Sequence, residues 1–299
     1  MELSRLYVSS LPLSFGGFQA SFEKTPLVFL GVPYDATATY RPGARFAPRV
    51  IREVSSHLET YSWRAKFDLE DVKVHDLGDI NVVQGSTAET LNRIEGVVRE
   101  LNSAAKIFGL VGGEHTVSYG AIRGLGKLGV VDFDAHMDLR DRYPERQEYS
   151  HATVMRRICE AVGASNIVQV GVRAICKEEY EYAQREGIAY ITSRDIVESG
   201  TSEIAAKIKE QVKGLGRLYF TVDLDVLDPA YAPAVGNPEP EGISTRNLLD
   251  IIQSIVDGRI VGFDVCEVCP AYDSGTTAAQ AARIILELFS LAHRAKNLR

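Results

Sequence analysis

The sequence predicts an α/β protein: a single domain with a mostly parallel β-sheet and helices packed on both faces of that sheet. Short, almost fully apolar segments alternate along the chain with longer segments whose apolar residues recur at helical spacing. Strands that are apolar on both faces are typical of parallel sheets, and their alternation with amphipathic helices indicates successive β-α-β units. No linker, repeat or low-complexity tract interrupts the 299 residues, so residues 1–299 are interpreted as one domain.

The individual elements follow from local composition. Strands are predicted from short runs rich in Val, Ile, Leu and Phe, at residues 27–32, 72–80, 106–113, 128–135, 166–173, 188–193, 218–225 and 260–268. Helices are predicted from apolar positions three or four residues apart, at residues 48–61, 88–101, 153–163, 202–214, 245–258 and 279–294. Residues 1–24 fit neither pattern, and we interpret them as an N-terminal arm that packs on a neighbouring molecule.

Charge and composition argue against several classes of function. The 33 basic and 40 acidic residues give a net charge of -7, whereas nucleic acids and anionic membranes are bound through clustered Lys and Arg. No apolar run approaches the ~18 residues of a membrane span, and the first residues lack the continuous apolar stretch of a signal peptide. The 4 cysteines do not form a disulfide framework in a chain this long. We therefore expect a cytoplasmic protein that binds neither nucleic acid nor membrane.

The informative polar residues follow predicted strands. Ligands of parallel α/β sheets bind beyond the carboxyl ends of the strands, so acidic residues and histidines at those ends are the candidates for a site. Three strands are followed by such residues, and a fourth carries a glutamate. The candidates are His115 in GGEHT, then Asp134, His136 and Asp138 in DAHMD, then Asp223 and Asp225 in DLD, and finally Glu267.

These candidates have two interpretations, structural and functional. A single histidine or a single D-x-D is more often a hydrogen-bonded polar residue or a turn cap than a metal ligand. In DAHMD, however, alternation directs Asp134, His136 and Asp138 to one face, directly after an apolar strand. Burying three ionisable groups there costs too much free energy unless a cation neutralises them. A shared metal is therefore the preferred interpretation.

The donor set indicates which metal is bound. Carboxylates and imidazoles without a thiolate suit Mn²⁺ better than the cysteine-rich sites of structural zinc. Six donors exceed what one ion with open positions would use, so two divalent ions are predicted, whose charge the four aspartates balance. Glu267 then leaves the mouth of the site negative, and such a site attracts a small cation.

Taken together, the motifs resemble those of the ureohydrolase (arginase and agmatinase) family. The similarity extends over nearly the whole chain, at residues 31–53, 76–80, 112–116, 134–138, 149–153, 223–244 and 264–273. It implies an arginase-like three-layer αβα fold, two Mn²⁺ ions per chain and assembly as a homo-oligomer, either a trimer or a hexamer. It also implies a guanidino substrate that is cleaved to urea and a primary amine.

The resemblance further implies a role for each candidate residue. His115 and Asp138 would be terminal ligands of one manganese ion, and His136 and Asp225 of the other, while Asp134 and Asp223 would bridge both. His151 matches the family's proton-shuttling histidine, and Glu267 its guanidinium-binding glutamate. The pair of ions would ionise a shared water, Glu267 would orient the guanidinium, and His151 would protonate the leaving amine.

Agmatine, cleaved to putrescine and urea, is the predicted substrate. The segments YRPGARFAPRVIRE and DPAYAPAVGNPEPEG look like those of agmatinases, and Leu139-Arg140-Asp141 replaces the asparagine that reads the substrate carboxylate in arginases. An acidic loop (Asp141, Glu145, Glu148) would favour a second cation at the entrance, although Arg140, Arg142 and Arg146 lie between these acids, and a solvated loop fits equally well.

Several alternatives stay open at this point. The same chemistry on the same fold would suit arginine, 4-guanidinobutyrate or formiminoglutamate. A different class of function is a catalytically silent, metal-binding regulatory subunit with this fold. Loss of a metal ligand would mark such a subunit, and all six predicted ligands are present in the sequence.

Overall fold

The computed structural model describes residues 1–297 and has a central sheet of nine strands. The third and fourth strands in chain order form a separate two-stranded sheet. The strands are β1 (Val8–Ser9), β2 (Leu27–Val32), β3 (Tyr61–Ser62), β4 (Phe67–Asp68), β5 (His75–Ile80), β6 (Ile107–Gly112), β7 (Gly129–Phe133), β8 (Ile167–Val172), β9 (Ala189–Thr192), β10 (Leu218–Asp223) and β11 (Ile260–Cys266). The helices are α1 (Glu2–Tyr7), α2 (Ala47–Ser55), α3 (Thr87–Ser103), α4 (Val117–Leu125), α5 (Val154–Val162), α6 (Lys177–Glu186), α7 (Ser193–Ser199), α8 (Thr201–Gln211), α9 (Thr245–Ile255) and α10 (Thr276–Asn297).

The order of the strands decides where the site forms. Across the sheet the order is β1-β5-β2-β6-β11-β10-β7-β8-β9, and every pairing is parallel except that of β1 with β5. The four strands that precede the candidate residues, β6, β11, β10 and β7, are therefore neighbours at its centre. Val222 of β10 is level with Val265 of β11 and with Phe133 of β7, so these strands end at one edge.

Burial confirms the predicted class of fold, a single α/β domain with helices on both faces of the sheet. Every residue of β2, β6, β7, β8 and β10 is buried, as expected for strands covered on both sides. Successive side chains enter opposite layers: Phe29 packs in one hydrophobic core, and its neighbours Val28 and Leu30 pack in the other.

The predicted elements are present, with two informative differences. The helix predicted at 48–61 ends at Ser55, because the chain then enters a small antiparallel hairpin formed by β3 and β4. Helix α6, which was not predicted, has the sequence KEEYEYAQRE and buries only Glu179, Tyr182 and Ala183. So few apolar positions leave no hydrophobic stripe for a periodicity argument to detect.

Residues of the predicted N-terminal arm pack on this domain. Glu100 of α3 accepts hydrogen bonds from the backbone amides of Leu3 (2.8 Å) and Ser4 (2.9 Å). Strand β1 adds an antiparallel edge strand beside β5, and the ring of Phe15 stacks on Phe29 with the centroids 5.1 Å apart. Among residues 1–297, no helix combines the length and the apolar character needed to cross a bilayer.

Candidate active site and metal centre

The predicted site residues converge at the carboxyl edge of the central strands. His115 follows β6, Asp134 follows β7, and Glu267 follows β11, while Asp223 ends β10. A cavity of about 290 Å³ opens above them; its lining includes His136, Asp138, His151, Asp223, Asp225 and Glu267. His115 and Asp134 are fully buried at its base. All eight residues proposed from the sequence therefore belong to one place in the fold.

Two groups of side chains at this edge have the geometry of metal ligands. His115, Asp134 and Asp138 form one group, and Asp134, His136 and Asp225 form the other; the donor atoms of each group lie within 4.8 Å of one another. Asp134 belongs to both groups: its Oδ2 is 3.2 Å from His115 Nδ1, and its Oδ1 is 3.6 Å from His136 Nδ1.

Asp223 lies beside the first group. Its Oδ2 is 3.6 Å from His115 Nδ1, while its Oδ1 accepts the backbone N–H of Asp225 at 2.9 Å. One oxygen thus faces the candidate ligands, and the other holds the turn that presents Asp225. This position is compatible with the shared ligand that the family resemblance implies.

The backbone at the strand ends is strained in order to present these groups. Asp138 has φ 50° and Glu267 has φ 67°, values in the left-handed region that non-glycine residues seldom adopt. Such conformations cost on the order of 1–3 kcal/mol each and persist where the surrounding structure fixes them. In the segment that leads to Asp138, Asp134 Oδ1 accepts the N–H of His136 at 2.7 Å.

The electrostatics of the site indicate an excess of negative charge. Burial, followed by the charge of Asp134, raises the pKa of Asp138 to about 7, and burial with the charge of Asp225 raises the pKa of Asp223 well above its usual range. Burial alone would lower the pKa of His115, but its contacts with Asp134 and Asp138 outweigh that effect and raise it. Carboxylates crowded in this way are relieved by a bound cation.

The donors present fit a hard divalent metal ion. The 3.2 Å approach of His115 Nδ1 to Asp134 Oδ2 does not have hydrogen-bond geometry, so this buried oxygen lacks a hydrogen-bond partner from residues 1–297. That is costly for an ionised carboxylate unless a cation contacts it. Among the described residues, the six predicted metal ligands form ion-pair contacts with histidines and carboxylates, and none with Lys or Arg. The six are His115, Asp134, His136, Asp138, Asp223 and Asp225. Oxygen and imidazole donors without a thiolate suit Mn²⁺ or a similar ion.

A threonine and an aspartate orient His115. The Thr221 hydroxyl lies 2.8 Å from His115 Nε2 and 2.6 Å from Asp264 Oδ1. A hydroxyl has one proton, and an ionised Asp264 can only accept it, so Thr221 accepts a hydrogen bond from His115 Nε2–H. Nε2–H is thus held on Thr221, and Nδ1, which lies 3.2 Å from Asp138 Oδ2, is the nitrogen that would give up its proton to bind a metal ion. Sequence reasoning missed Thr221 and Asp264, which carry no motif of their own.

His151 lies on the cavity wall in surroundings of a different kind. Its Nδ1 is 3.3 Å from Thr37 Oγ1 and its Nε2 is 3.2 Å from Thr39 Oγ1. Burial, followed by the positive charge of His136 and His115, lowers the pKa of His151 to about 4. The ring is therefore neutral near pH 7. Thr37 and Thr39 were also missed from the sequence, where two threonines in a loop give no functional signal.

Glu267 presents one oxygen atom to the cavity. Its Oε1 accepts the backbone N–H of His115 at 2.7 Å, so this oxygen is held in place. A Cβ atom on Gly236 would lie 2.6 Å from Oε2, so a larger residue there would displace the carboxylate from its present position. Oε2 is therefore the oxygen that is free to accept a hydrogen bond from a ligand.

The entrance differs from the sequence-based expectation. Asp141 and Glu148, predicted as entrance acids, instead pair with Arg157, at 2.9 and 3.6 Å. Neither these two nor Glu145 belongs to the cavity lining within residues 1–297; the acids there, besides the site residues, are Glu179 and Glu239. Arg140 also lines the cavity, with its guanidinium 4.3 Å from the ring centre of Tyr143 and its Nε 4.0 Å from Glu179 Oε2.

Comparison with known proteins agrees with the fold and the site. A family model described as the arginase family matches residues 25–290. An agmatinase from Bacillus anthracis is 40% identical over 276 residues, covering 90% of this chain and 92% of that protein. The N(1)-aminopropylagmatine ureohydrolase of Thermococcus kodakarensis is 35% identical over 266 residues, covering 88% of this chain and 89% of that protein. The solved agmatine ureohydrolase of Thermoplasma volcanium has a TM-score of 0.89 at 32% identity and covers 97% of both chains.

Fold, site and matches define the class of protein, a hydrolase that acts on guanidino compounds. The chain belongs to the arginase family. Its predicted resemblance to ureohydrolases, and to agmatinases among them, is confirmed.

Proposed function

We propose that this enzyme hydrolyses agmatine to putrescine and urea, with two Mn²⁺ ions held by His115, Asp134, His136, Asp138, Asp223 and Asp225. The observation that carries the proposal is the pair of carboxylate–imidazole groups that share Asp134 at the base of a cavity. Bound divalent ions supply a nucleophile near neutral pH by lowering the pKa of a water molecule.

Glu267 has the position needed to bind the guanidinium. Its Oε2 is free, whereas Oε1 is fixed by the His115 amide, so the carboxylate cannot rotate away. A charge-assisted hydrogen bond from a guanidinium N–H to Oε2 would hold the central carbon of the substrate above the aspartates. Glu267 would therefore orient the substrate, because holding the guanidinium carbon at a fixed distance from the attacking water increases the rate of reaction.

His151 is proposed to move the proton that the reaction requires. A guanidinium loses its amine only after the departing nitrogen is protonated, and histidine is the usual side chain for that transfer. Because its pKa is lowered, His151 is neutral in the resting site, and once protonated it is a stronger acid than an ordinary imidazolium. It can thus take the proton from the attacking water and deliver it to the amine.

Charge at the cavity wall favours a substrate with a second cation. Glu179 and Glu239 line the cavity; Arg140 lies close to Glu179 and offsets its charge, which leaves Glu239 as the acid that a second cation would approach. Agmatine has an ammonium group at its far end, whereas arginine and 4-guanidinobutyrate bring a carboxylate to the same place. The agmatinase from B. anthracis and the ureohydrolase from T. kodakarensis, by their names, act on amine-bearing guanidines.

A substrate panel tests the proposal. We expect the Mn²⁺-loaded enzyme to release urea from agmatine with a kcat/KM at least about tenfold above that for arginine or 4-guanidinobutyrate, as a misplaced charge costs more than 1.4 kcal/mol. N(1)-aminopropylagmatine belongs in the same panel. Faster hydrolysis of either carboxylate-bearing compound would contradict the choice of substrate, and bound metal without urea from any guanidine would support the regulatory-subunit alternative.

Assembly as a homotrimer or hexamer is proposed from the family resemblance. The mass of the native particle, measured by light scattering, tests it. A particle of 32.9 kDa, the mass of one chain, would contradict this part of the proposal.

A further inference from the structure

We propose that Glu114 and Thr37 are positioning residues that fix the tautomer of His151, with the proton on Nδ1 and the lone pair on Nε2. The proposal rests on the proposed role of His151 as the proton carrier. Neither residue was identified from the sequence, and the structure gives neither a place among the candidate metal ligands. Their contacts nevertheless lead directly to the histidine ring.

The first step is the hydrogen bonding of Glu114, which is fully buried directly after β6. Its Oε2 accepts the backbone N–H of Thr37 at 2.7 Å. Its Oε1 accepts the hydroxyl of Thr37 at 2.7 Å and that of Thr116 at 2.6 Å. Burial raises the pKa of Glu114 to about 7, while these three donors favour its ionised form. In that form the carboxylate can only accept, so both hydroxyl protons are directed at Glu114.

The second step follows from the single proton of a hydroxyl. Since Thr37 donates its proton to Glu114, Thr37 Oγ1 can only accept from its other neighbours. Those neighbours both belong to His151: the backbone N–H at 3.2 Å and ring Nδ1 at 3.3 Å. Nδ1 must therefore carry a proton to make this contact.

The third step concerns the opposite ring nitrogen. In a neutral imidazole with a proton on Nδ1, Nε2 has the lone pair and is the basic atom. Nε2 lies 3.2 Å from the hydroxyl of Thr39, and both Thr39 and His151 line the cavity. The basic nitrogen is therefore on the side of the ring from which a proton can pass to or from a substrate.

A second histidine of the same site, His115, has a comparable pair of threonine and carboxylate beside it. His115 also contacts a threonine backed by a carboxylate, but there Thr221 and Asp264 act on Nε2 and leave Nδ1 free for the metal side. The same arrangement thus holds a proton on Nε2 of His115 and on Nδ1 of His151, in each case the nitrogen that its proposed role leaves protonated.

Kinetics of two Thr37 variants give the first test. Thr37→Val has nearly the same shape but no hydroxyl, and we expect kcat on agmatine to fall about 10- to 100-fold, with KM and bound Mn²⁺ within about twofold of the wild type. Thr37→Ser restores the hydroxyl and should recover most of the rate. The matched control is Thr116→Val, which removes the other hydroxyl from the same oxygen of Glu114 and should stay within about threefold of the wild-type kcat.

The ring tautomer can also be observed directly, without substrate. The chain has 6 histidines, so nitrogen-15 labelling of histidine gives a tractable NMR spectrum, and His151→Asn identifies the His151 signals by their loss. At about pH 9, above the value of about 7 to which burial raises the pKa of Glu114, we expect the Nδ1–H tautomer for His151. In Glu114→Gln the new amide can donate to Thr37, whose proton is then free to turn to Nδ1, and the population should shift towards the Nε2–H tautomer.

Two results would overturn the proposal: a wild-type His151 that is mainly the Nε2–H tautomer, or a Thr37→Val enzyme with wild-type kcat. Failure of the proposed function is distinguishable, because the NMR measurement depends on neither agmatine nor turnover. If His151→Asn kept full activity while the tautomer changed as expected in Glu114→Gln, the shuttle role would be wrong and the positioning would stand.

Discussion

His115 and His151 are buried histidines beside the same cavity, and each contacts a threonine that hydrogen-bonds to a carboxylate, yet their pKa values shift in opposite directions. Burial lowers both. Around His115 the carboxylates of Asp134 and Asp138 outweigh burial and raise the pKa, whereas His151 has neutral threonines beside it and positive imidazoles nearby, which lower the pKa to about 4.

The opposite pKa shifts explain how two histidines beside one cavity can have different roles, one at the candidate metal centre and one as a proton carrier. Burial is common to both histidines and cannot distinguish them. The neighbouring charges can: an imidazole among carboxylates belongs to a cation-binding centre, and an imidazole among hydroxyls stays neutral and is available as a base. The first three predictions below act on one histidine or its surroundings, and the last is a reference change away from both.

The largest effect is expected at the residue shared by the two metal-binding groups. Asp134→Asn removes a ligand charge from both, so bound Mn²⁺ should fall to less than half of the wild-type content and turnover by more than about 1,000-fold. Metal analysis after dialysis measures this. Asp141→Asn, in an acid that pairs with Arg157, is the control and should keep its metal; full metal in Asp134→Asn would exclude a shared ligand.

Next in size is the loss of the proton carrier. His151→Asn should lower kcat on agmatine about 100- to 1,000-fold, because general acid–base transfer contributes this much. Bound metal should stay at the wild-type content, since His151 belongs to neither of the two candidate metal-binding groups. Measuring kcat and bound metal on the same preparation checks both expectations. If kcat and metal content fell in proportion, His151 would belong to the metal centre instead.

An intermediate effect is expected for the threonine behind His115. Thr221→Val removes the acceptor of Nε2–H, and the loss of such a support lowers metal affinity about 10- to 100-fold. The kcat at saturating Mn²⁺ should be close to the wild-type value. Metal titration followed by calorimetry measures the affinity. Thr37→Val is the matched control, because it should lower kcat and leave the affinity for Mn²⁺ unchanged. If both variants lowered the affinity for Mn²⁺ equally, the proposed difference in role between His115 and His151 would be wrong.

The smallest effect is predicted far from both histidines, where Glu100 anchors α1. Burial alone raises the pKa of Glu100, but the donors Ser4 and Leu3 outweigh it and lower the pKa, so the ionised form is favoured in the folded state. Its contribution is present above the ordinary pKa and is lost as pH falls through the lowered one. Glu100→Gln should speed hydrogen exchange in residues 2–7 by about threefold, with activity unchanged, because solvent screens this contact.

A large part of the fold was predictable, because its central strands are buried on both faces and leave a plain apolar signal, as in β2 and β10. The metal-ligand candidates were predictable for a related reason: several ionisable residues directly after a buried strand are costly without a cation. Helix α6 was missed because it is largely polar, and the entrance acids were misplaced because nothing in the spacing of Asp141 and Glu148 shows that Arg157 pairs with both.

The class of fold, the candidate ligands and the expectation of a metal could be read from the chain alone, because alternation of apolar and charged residues is a local property. Which hydroxyl faces which ring nitrogen depends on the folded protein. Thr37 and Glu114 are 77 residues apart, and Thr221 and His115 are 106 apart, so these contacts depend on how strands from distant parts of the chain meet at one edge of the sheet. Hydrogen-bond direction, and with it the tautomer of each histidine, exists only once those partners are brought together.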